Sequence, residues 1–138
     1  MAKLVRFGVS MDEKLLEQFD RYCEDNNYTN RSEAIRDLIR EHLVQQEWEN
    51  NEYVAGAILF VFDHHTRGLT EKLTDIQHDY GEIINSNHHI HLDHNNCLEI
   101  IIVKGKVLDI NQLFTKIKSC KGVMHCQISR TSIAKDLH

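Results

Sequence analysis

The sequence predicts an α+β protein in two unequal parts, an N-terminal β-α-α segment and a C-terminal β-α-β-β-α-β domain of ferredoxin-like pattern. Three observations predict it. Apolar residues recur twice at helical spacing before residue 48. A near-continuous apolar run, "YVAGAILFVF", then opens a strand-rich part at residue 53. Finally, "HHIHLDHNNC" at residues 88–97 concentrates histidine and cysteine on what spacing and turn chemistry make a hairpin. The expected boundaries are 1–48 for the first domain, 49–52 for a linker and 53–138 for the second.

The composition is that of a globular chain: 138 residues, 41% apolar, 27% charged. No run approaches the roughly 18–20 apolar residues of a membrane span. The opening "MAKLVRFGVS" is too short and polar for a signal peptide, so a cytoplasmic location is expected. There Cys23, Cys97, Cys120 and Cys126 are expected to be reduced or metal-bound rather than paired. A net charge of −5 does not advertise a nucleic-acid binder, so any such role must rest on a local basic strip.

The elements follow in order. "KLVRFGVS" alternates from Phe7 onward, with Phe7 and Val9 on one face and Arg6, Gly8 and Ser10 on the other, as in a short strand. Ser10-x-x-Glu13 matches a capping box for a helix whose inward residues are Leu15, Leu16, Phe19, Tyr22 and Cys23. "EDNNYTN" breaks that helix. A second begins at Thr29 or Asn30, with Asn30-x-x-Glu33 as its cap and Ala34, Ile35, Leu38, Ile39 and Leu43 as its stripe. In the second domain, strands are expected at residues 53–62, 83–92, 97–103 and 123–133. Helices are expected at residues 69–80 and 107–117, the latter with Leu108, Leu113, Phe114 and Ile117 inward. Such an open sheet is expected to pair with another copy.

A lone strand and two helices in under fifty residues bury little surface. A two-fold dimer repairs this by pairing two copies of "RFGVS" as an antiparallel ribbon, which leaves Arg6, Gly8 and Ser10 outward on both. Such a ribbon fits the major groove of double-stranded DNA, where Arg binds guanine O6 and N7 and glycine permits close approach. The start of the second helix, Asn30, Arg31 and Ser32, offers amides to a phosphate. Arg31, Arg36 and Arg40 alternate with Glu33, Asp37 and Glu41, so part of this charge serves ordinary pairing along the helix.

On a strand, His89 and His91 share a face, and Cys97 opens the returning strand beside them. Two imidazoles and a thiolate suit Zn, Cu or Ni and not Mg or Ca. Three ligands leave one position open, with His78, His64, His65, His94 and His125 as candidates. Glu99 lies on the same face as Cys97 and can orient a ligand imidazole.

"RFGVSMDEKLLEQFD" with "NRSEAIRDLIR" resembles the ribbon-helix-helix repressors. "TDIQH" followed by "HHIHLDHNNCLEI" resembles the C-terminal domain of the nickel-responsive NikR family, and the two motifs together span essentially the whole chain. The resemblance implies Ni(II), one per subunit, held by His89, His91 and Cys97 of one chain and His78 of another in square-planar geometry. It also implies a homotetramer, a dimer of dimers, that binds operator DNA when nickel is present and represses nickel uptake genes. A low-affinity cation site between domains would match Glu33 and Asp37, and a non-specific DNA contact Arg67. Certain relatives carry a longer histidine run after the position of His78, where this chain reads "HDYGE", and threonine in the ribbon where this chain has Gly8 and Ser10. The operator sequence therefore does not transfer.

Two other classes compete. A small zinc hydrolase would need a general base beside the metal, for which Glu99 is the nearest carboxylate, and a concave pocket. An ACT-like domain sensing a small molecule would leave the histidines unexplained. The expectation is therefore a regulator, with no enzymatic activity, no membrane association and no small-molecule substrate.

Overall fold

The computed structural model describes residues 3–138. By contacts the chain divides into two units, one taking the chain up to Leu43 with Ala134–His138, the other Val44–Ile133.

In the first unit, α1 (Glu13–Asp25) and the opening turns of α2 (Arg31–Glu49) are the only regular elements among the described residues. The expected N-terminal strand is not formed, and Phe7 and Val9 stand 71% and 58% exposed. The cause is the one that makes a single strand incomplete: its N–H and C=O groups have no neighbouring strand to form a ladder with. The helix cap also moves. Asp12, not Ser10, occupies the N-cap, and its carboxylate accepts a bond from the Lys14 amide. Ser10 is left exposed and clear of capping. The second cap is as expected, with Asn30 Oδ1 accepting from the Glu33 amide at 2.9 Å. Of the apolar stripes, only Cys23 and Ala34 are buried, while Leu15, Leu38 and Ile39 remain open.

The second unit is a four-stranded antiparallel sheet in the order β2-β3-β1-β4, formed by β1 (Tyr53–Asp63), β2 (Ile84–His91), β3 (Asn96–Lys106) and β4 (Val123–Arg130). Helices α3 (Leu69–Asp79) and α4 (Val107–Lys118) complete the β-α-β-β-α-β order. Period-2 alternation explains the core. Val54, Ile58, Phe60 and Phe62 of β1 and Cys97, Ile101 and Val103 of β3 are buried together with Leu73, Ile110, Leu113 and Ile117 of the helices. Gly122 turns the chain into β4 at φ 101°, and a Cβ there would also meet Leu69 and Thr66 at 2.8 Å.

Three details differ from the sequence pattern. Leu108 is 56% exposed because it lies in the first turn of α4, one position off the buried Val107–Ile110–Leu113–Ile117 stripe. Helix α2 runs past its predicted apolar stripe, which ends at Leu43, and continues to Glu49. Trp48 is buried there, its indole N–H donating to the Thr131 carbonyl at 2.8 Å with Arg130 over its ring. Lastly, β4 ends at Arg130, short of the expected Ile133.

The shifted cap gives a direct test. Asp12→Ala should lower stability by about 0.5–2 kcal/mol, the usual effect of losing an N-cap, and Ser10→Ala should be near neutral. Urea denaturation of the full-length protein followed by circular dichroism checks this, and the opposite ranking would restore Ser10 as the cap.

Candidate metal centre and nucleic-acid surface

The hairpin of β2 and β3 sets the candidate metal centre through its register. His91 stands opposite Cys97 and His89 opposite Glu99. β1 flanks β3 on its other side, with Phe62 opposite Cys97 and Phe60 opposite Glu99. Directly opposed residues share a face, so both histidines, the thiol and the carboxylate lie on the face that carries the helices. The connecting turn is held by Asp93, whose carboxylate accepts from the amides of Asn95 and Asn96, both at 2.8 Å. These backbone bonds hold its carboxyl below the usual range, so the turn keeps its anionic clamp to lower pH than an unpartnered aspartate would.

Cys97 Sγ lies 3.4 Å from His91 Nδ1. The cysteine is fully buried and the histidine is exposed, so the pair sits at the rim of the core. Burial pushes the Cys97 thiol up, and the carboxylates of Asp93, Glu99 and Asp63 push the same way. A cation that binds sulfur would have to displace that proton. His89 packs its ring edgewise on Phe62, and its Nδ1 is 3.6 Å from Glu99 Oε1. The rings of His89 and His91 are 5.4 Å apart.

Glu99 is the only polar residue buried among those described, and Gln77 and Asn87 supply its partners. The Gln77 amide donates to Glu99 Oε2 at 2.7 Å, and Asn87 donates to Gln77 Oε1 at 3.0 Å. Sequence reasoning missed both amides. The available signal was Gln77 beside His78 in "TDIQH", together with the period-2 relation of Asn87 to His89.

The other site residues fall as follows. His78 is exposed on α3 and lines a surface hollow with Asp79, Tyr80, Glu82, Ile83 and Asp109, outside the His91–Cys97 group. His64 does join that group: one ligand atom each from His64, His91 and Cys97 lie within 4.8 Å of one another. His88, His94 and His125 are exposed. Cys120 and Cys126 are buried thiols, Cys126 pushed up to about 11 by burial.

On the first unit, Arg6, Gly8, Ser10 and Ser32 are exposed, as is Arg67 on the second. Arg31 is engaged by Asp20 through two bonds of 2.8 and 2.9 Å. Glu33 accepts from the Thr29 hydroxyl at 3.0 Å, and Asp37 from Tyr28 at 2.9 Å and Arg40 at 3.1 Å. The acidic pair thus already has donors. No helix among the described residues is long and apolar enough to cross a membrane.

Comparison with known proteins agrees with this division. Residues 5–46 match the ribbon-helix-helix protein family of copG type, and residues 55–131 match the NikR C-terminal nickel binding domain. A protein of Syntrophus aciditrophicus named "putative nickel-responsive regulator" is 53% identical over 98% of both chains. One of the same name from Dictyoglomus turgidum is 52% identical over 96% of this chain and 99% of its own. An uncharacterized protein of Thermotoga maritima shares the fold of 59% of this chain over its whole length, with a TM-score of 0.54 at 15% identity. The relatives are named as regulators and not as hydrolases. A ribbon-helix-helix domain followed by the NikR nickel-binding domain, with full-length relatives at half identity, places this chain in the NikR family of regulators.

Proposed function

We propose that the chain is a cytoplasmic, nickel-dependent repressor that binds double-stranded operator DNA as a homotetramer and controls nickel uptake genes. The observation that carries this is the His91–Cys97 pair at the core rim, with His78 exposed on a helix whose neighbouring Gln77 reaches the same site. His89, His91 and Cys97 of one chain would hold the ion, one per subunit, with His78 from another. Thiol and imidazole donors suit Ni(II), and the bound ion supplies a cross-link between chains.

The chain's own residues set up that cross-link. Cys97 is fixed by the central strand, so one donor is rigid before any cation arrives. Glu99 faces His89 Nδ1 and would keep that nitrogen protonated, leaving Nε2 as donor. Gln77 ties α3 to Glu99, so a change in the orientation of His89 is felt one residue from His78. On DNA, Arg6, Gly8 and Ser10 would read bases from the paired ribbon, and Asn30, Arg31 and Ser32 would meet phosphate at the start of α2. Arg31 would do so with Asp20 as its anchor. Arg67 would add a contact that carries no sequence information.

Three measurements test this reading. With duplex enriched from a random library by nickel-loaded protein, affinity should fall sharply on chelation of the metal; equal affinity in both states sinks the sensor. His78→Ala should weaken nickel binding and change the nickel–thiolate absorption spectrum with the fold retained, whereas an unchanged spectrum removes His78 from the site. Arg6→Ala should lose roughly 1–3 kcal/mol of sequence discrimination while nickel affinity stays constant, and a matching loss on non-specific DNA would assign Arg6 to phosphate.

A further inference from the structure

A hollow of about 240 Å³ opens between α3 and the β2–β3 hairpin, lined by neither His91 nor Cys97. Its lining is buried at Phe62, Leu73 and Glu99 and exposed at Thr70, Thr74 and Asn87. Glu99 is only 6% exposed, and its two oxygens are served unequally. Oε2 takes the Gln77 amide at 2.7 Å and Asn87 Nδ2 at 3.5 Å. Oε1 faces His89 Nδ1 at 3.6 Å, beyond a hydrogen bond. No lysine or arginine lines the hollow. A carboxylate withdrawn from water is costly unless a cationic donor meets it, and among the described residues none does so at bonding distance.

The rest of the lining also accepts more than it donates. The Thr74 hydroxyl spends its proton on the Thr70 carbonyl at 2.9 Å, which leaves its lone pairs over. The Gln77 amide is used at both ends, by Glu99 and by Asn87. The unmet need is therefore for N–H donors that carry positive charge. Phe62 and Leu73 add an apolar wall to this polar one. A water takes up roughly 30 Å³, so the space exceeds what a bare ion fills and suits a short carbon chain.

We propose that this hollow binds a small primary alkylammonium, with its charged nitrogen on Glu99 Oε1 and the Thr74 hydroxyl and its carbons against Phe62 and Leu73. One nitrogen with three N–H donors answers both acceptors at once. The occupant takes the carboxylate oxygen that faces His89, and so competes with the imidazole that Glu99 would orient for nickel. Amine and nickel then oppose one another, each lowering the other's affinity by the same factor. This antagonism rests on the nickel reading; the amine site itself does not.

The test uses the full-length, metal-free protein and n-propylammonium chloride, followed by saturation-transfer NMR of the propyl protons. Binding should saturate, and Glu99→Gln, which keeps an acceptor oxygen but removes the charge, should weaken it by roughly tenfold or more. Thr74 is exposed on α3, so Thr74→Val keeps the fold. That variant should bind the amine severalfold more weakly, with nickel affinity in the absence of amine unchanged. Neither n-propanol nor potassium or ammonium chloride should displace the amine at equal concentration. Binding that does not saturate overturns the site, as does full amine affinity in both variants. Displacement by potassium or ammonium overturns the alkylammonium assignment in favour of an inorganic cation, and displacement by propanol shows a merely apolar hollow. Saturating propylammonium should lower nickel affinity severalfold in the parent protein and less in Thr74→Val, and an unchanged nickel affinity overturns the antagonism. Failure of the nickel reading appears separately, as a nickel spectrum indifferent to His78 while the metal-free protein still binds the amine.

Discussion

The pairing of β2 with β3 is the constraint on which the rest of the candidate metal centre depends. Because side chains alternate along a strand, the register that sets His91 against Cys97 and His89 against Glu99 puts all four on one face. A slip of one residue would turn both histidines to the opposite face, away from the thiol. β3 lies inside the sheet, bonded to β1 and β2 alike, whereas β2 is an edge strand with its histidines exposed. The centre is therefore asymmetric by construction. Its sulfur donor belongs to the packed core, and its imidazoles belong to an edge that can adjust. The Asp93 turn keeps these two halves in step by clamping the amides of Asn95 and Asn96.

The same asymmetry explains what was legible in the sequence. That His89, His91 and Cys97 share a face could be read because their relation is local: period 2 along one strand and a short return along the next. The six elements of the second unit were likewise legible, since strongly periodic segments of that length announce themselves. His64 could be named only as one candidate among five. Its place beside His91 and Cys97 depends on β1 pairing with β3, in a register that sets Asp63 against Asn96. Gln77 was missed for a related reason. Its partner is a buried carboxylate across the layer between helix and sheet, and no sequence spacing encodes that distance. Ser10 and Asp12 both have cap chemistry, and a two-residue ambiguity of that kind is settled by backbone conformation, not by residue type.

The acidic pair of α2 shows how a motif can be present and still be occupied. Glu33 and Asp37 are one turn apart and can face one cation, as spacing alone suggests. Yet Tyr28 and Arg40 both bond Asp37, and Arg40 in turn donates to the Leu137 carbonyl at 2.8 Å. The Asp37 carboxylate raises the Tyr28 hydroxyl well above its usual range, so that donor stays protonated. A cation at this pair would have to replace bonds already made, and its gain is only the difference between the two sets.

The first unit carries the complementary lesson about assembly. Its apolar stripes leave Leu15, Leu38 and Ile39 open, and its N-terminal segment has no strand to pair with among the described residues. So little buried surface cannot offset the entropy of ordering some forty residues, and the unit must draw on contacts beyond itself. The alternation in "RFGVS" ties that need to recognition, because Phe7 and Val9 take one face and Arg6, Gly8 and Ser10 the other. Only a paired ribbon can present the polar face in a fixed register, and only a buried apolar face can hold the ribbon flat. In the proposed assembly, base reading and subunit pairing would thus be two sides of one strand. On the proposed reading, a cation that joined chains would strengthen DNA binding without touching Arg6, Gly8 or Ser10, simply by raising the effective concentration of one ribbon for its partner.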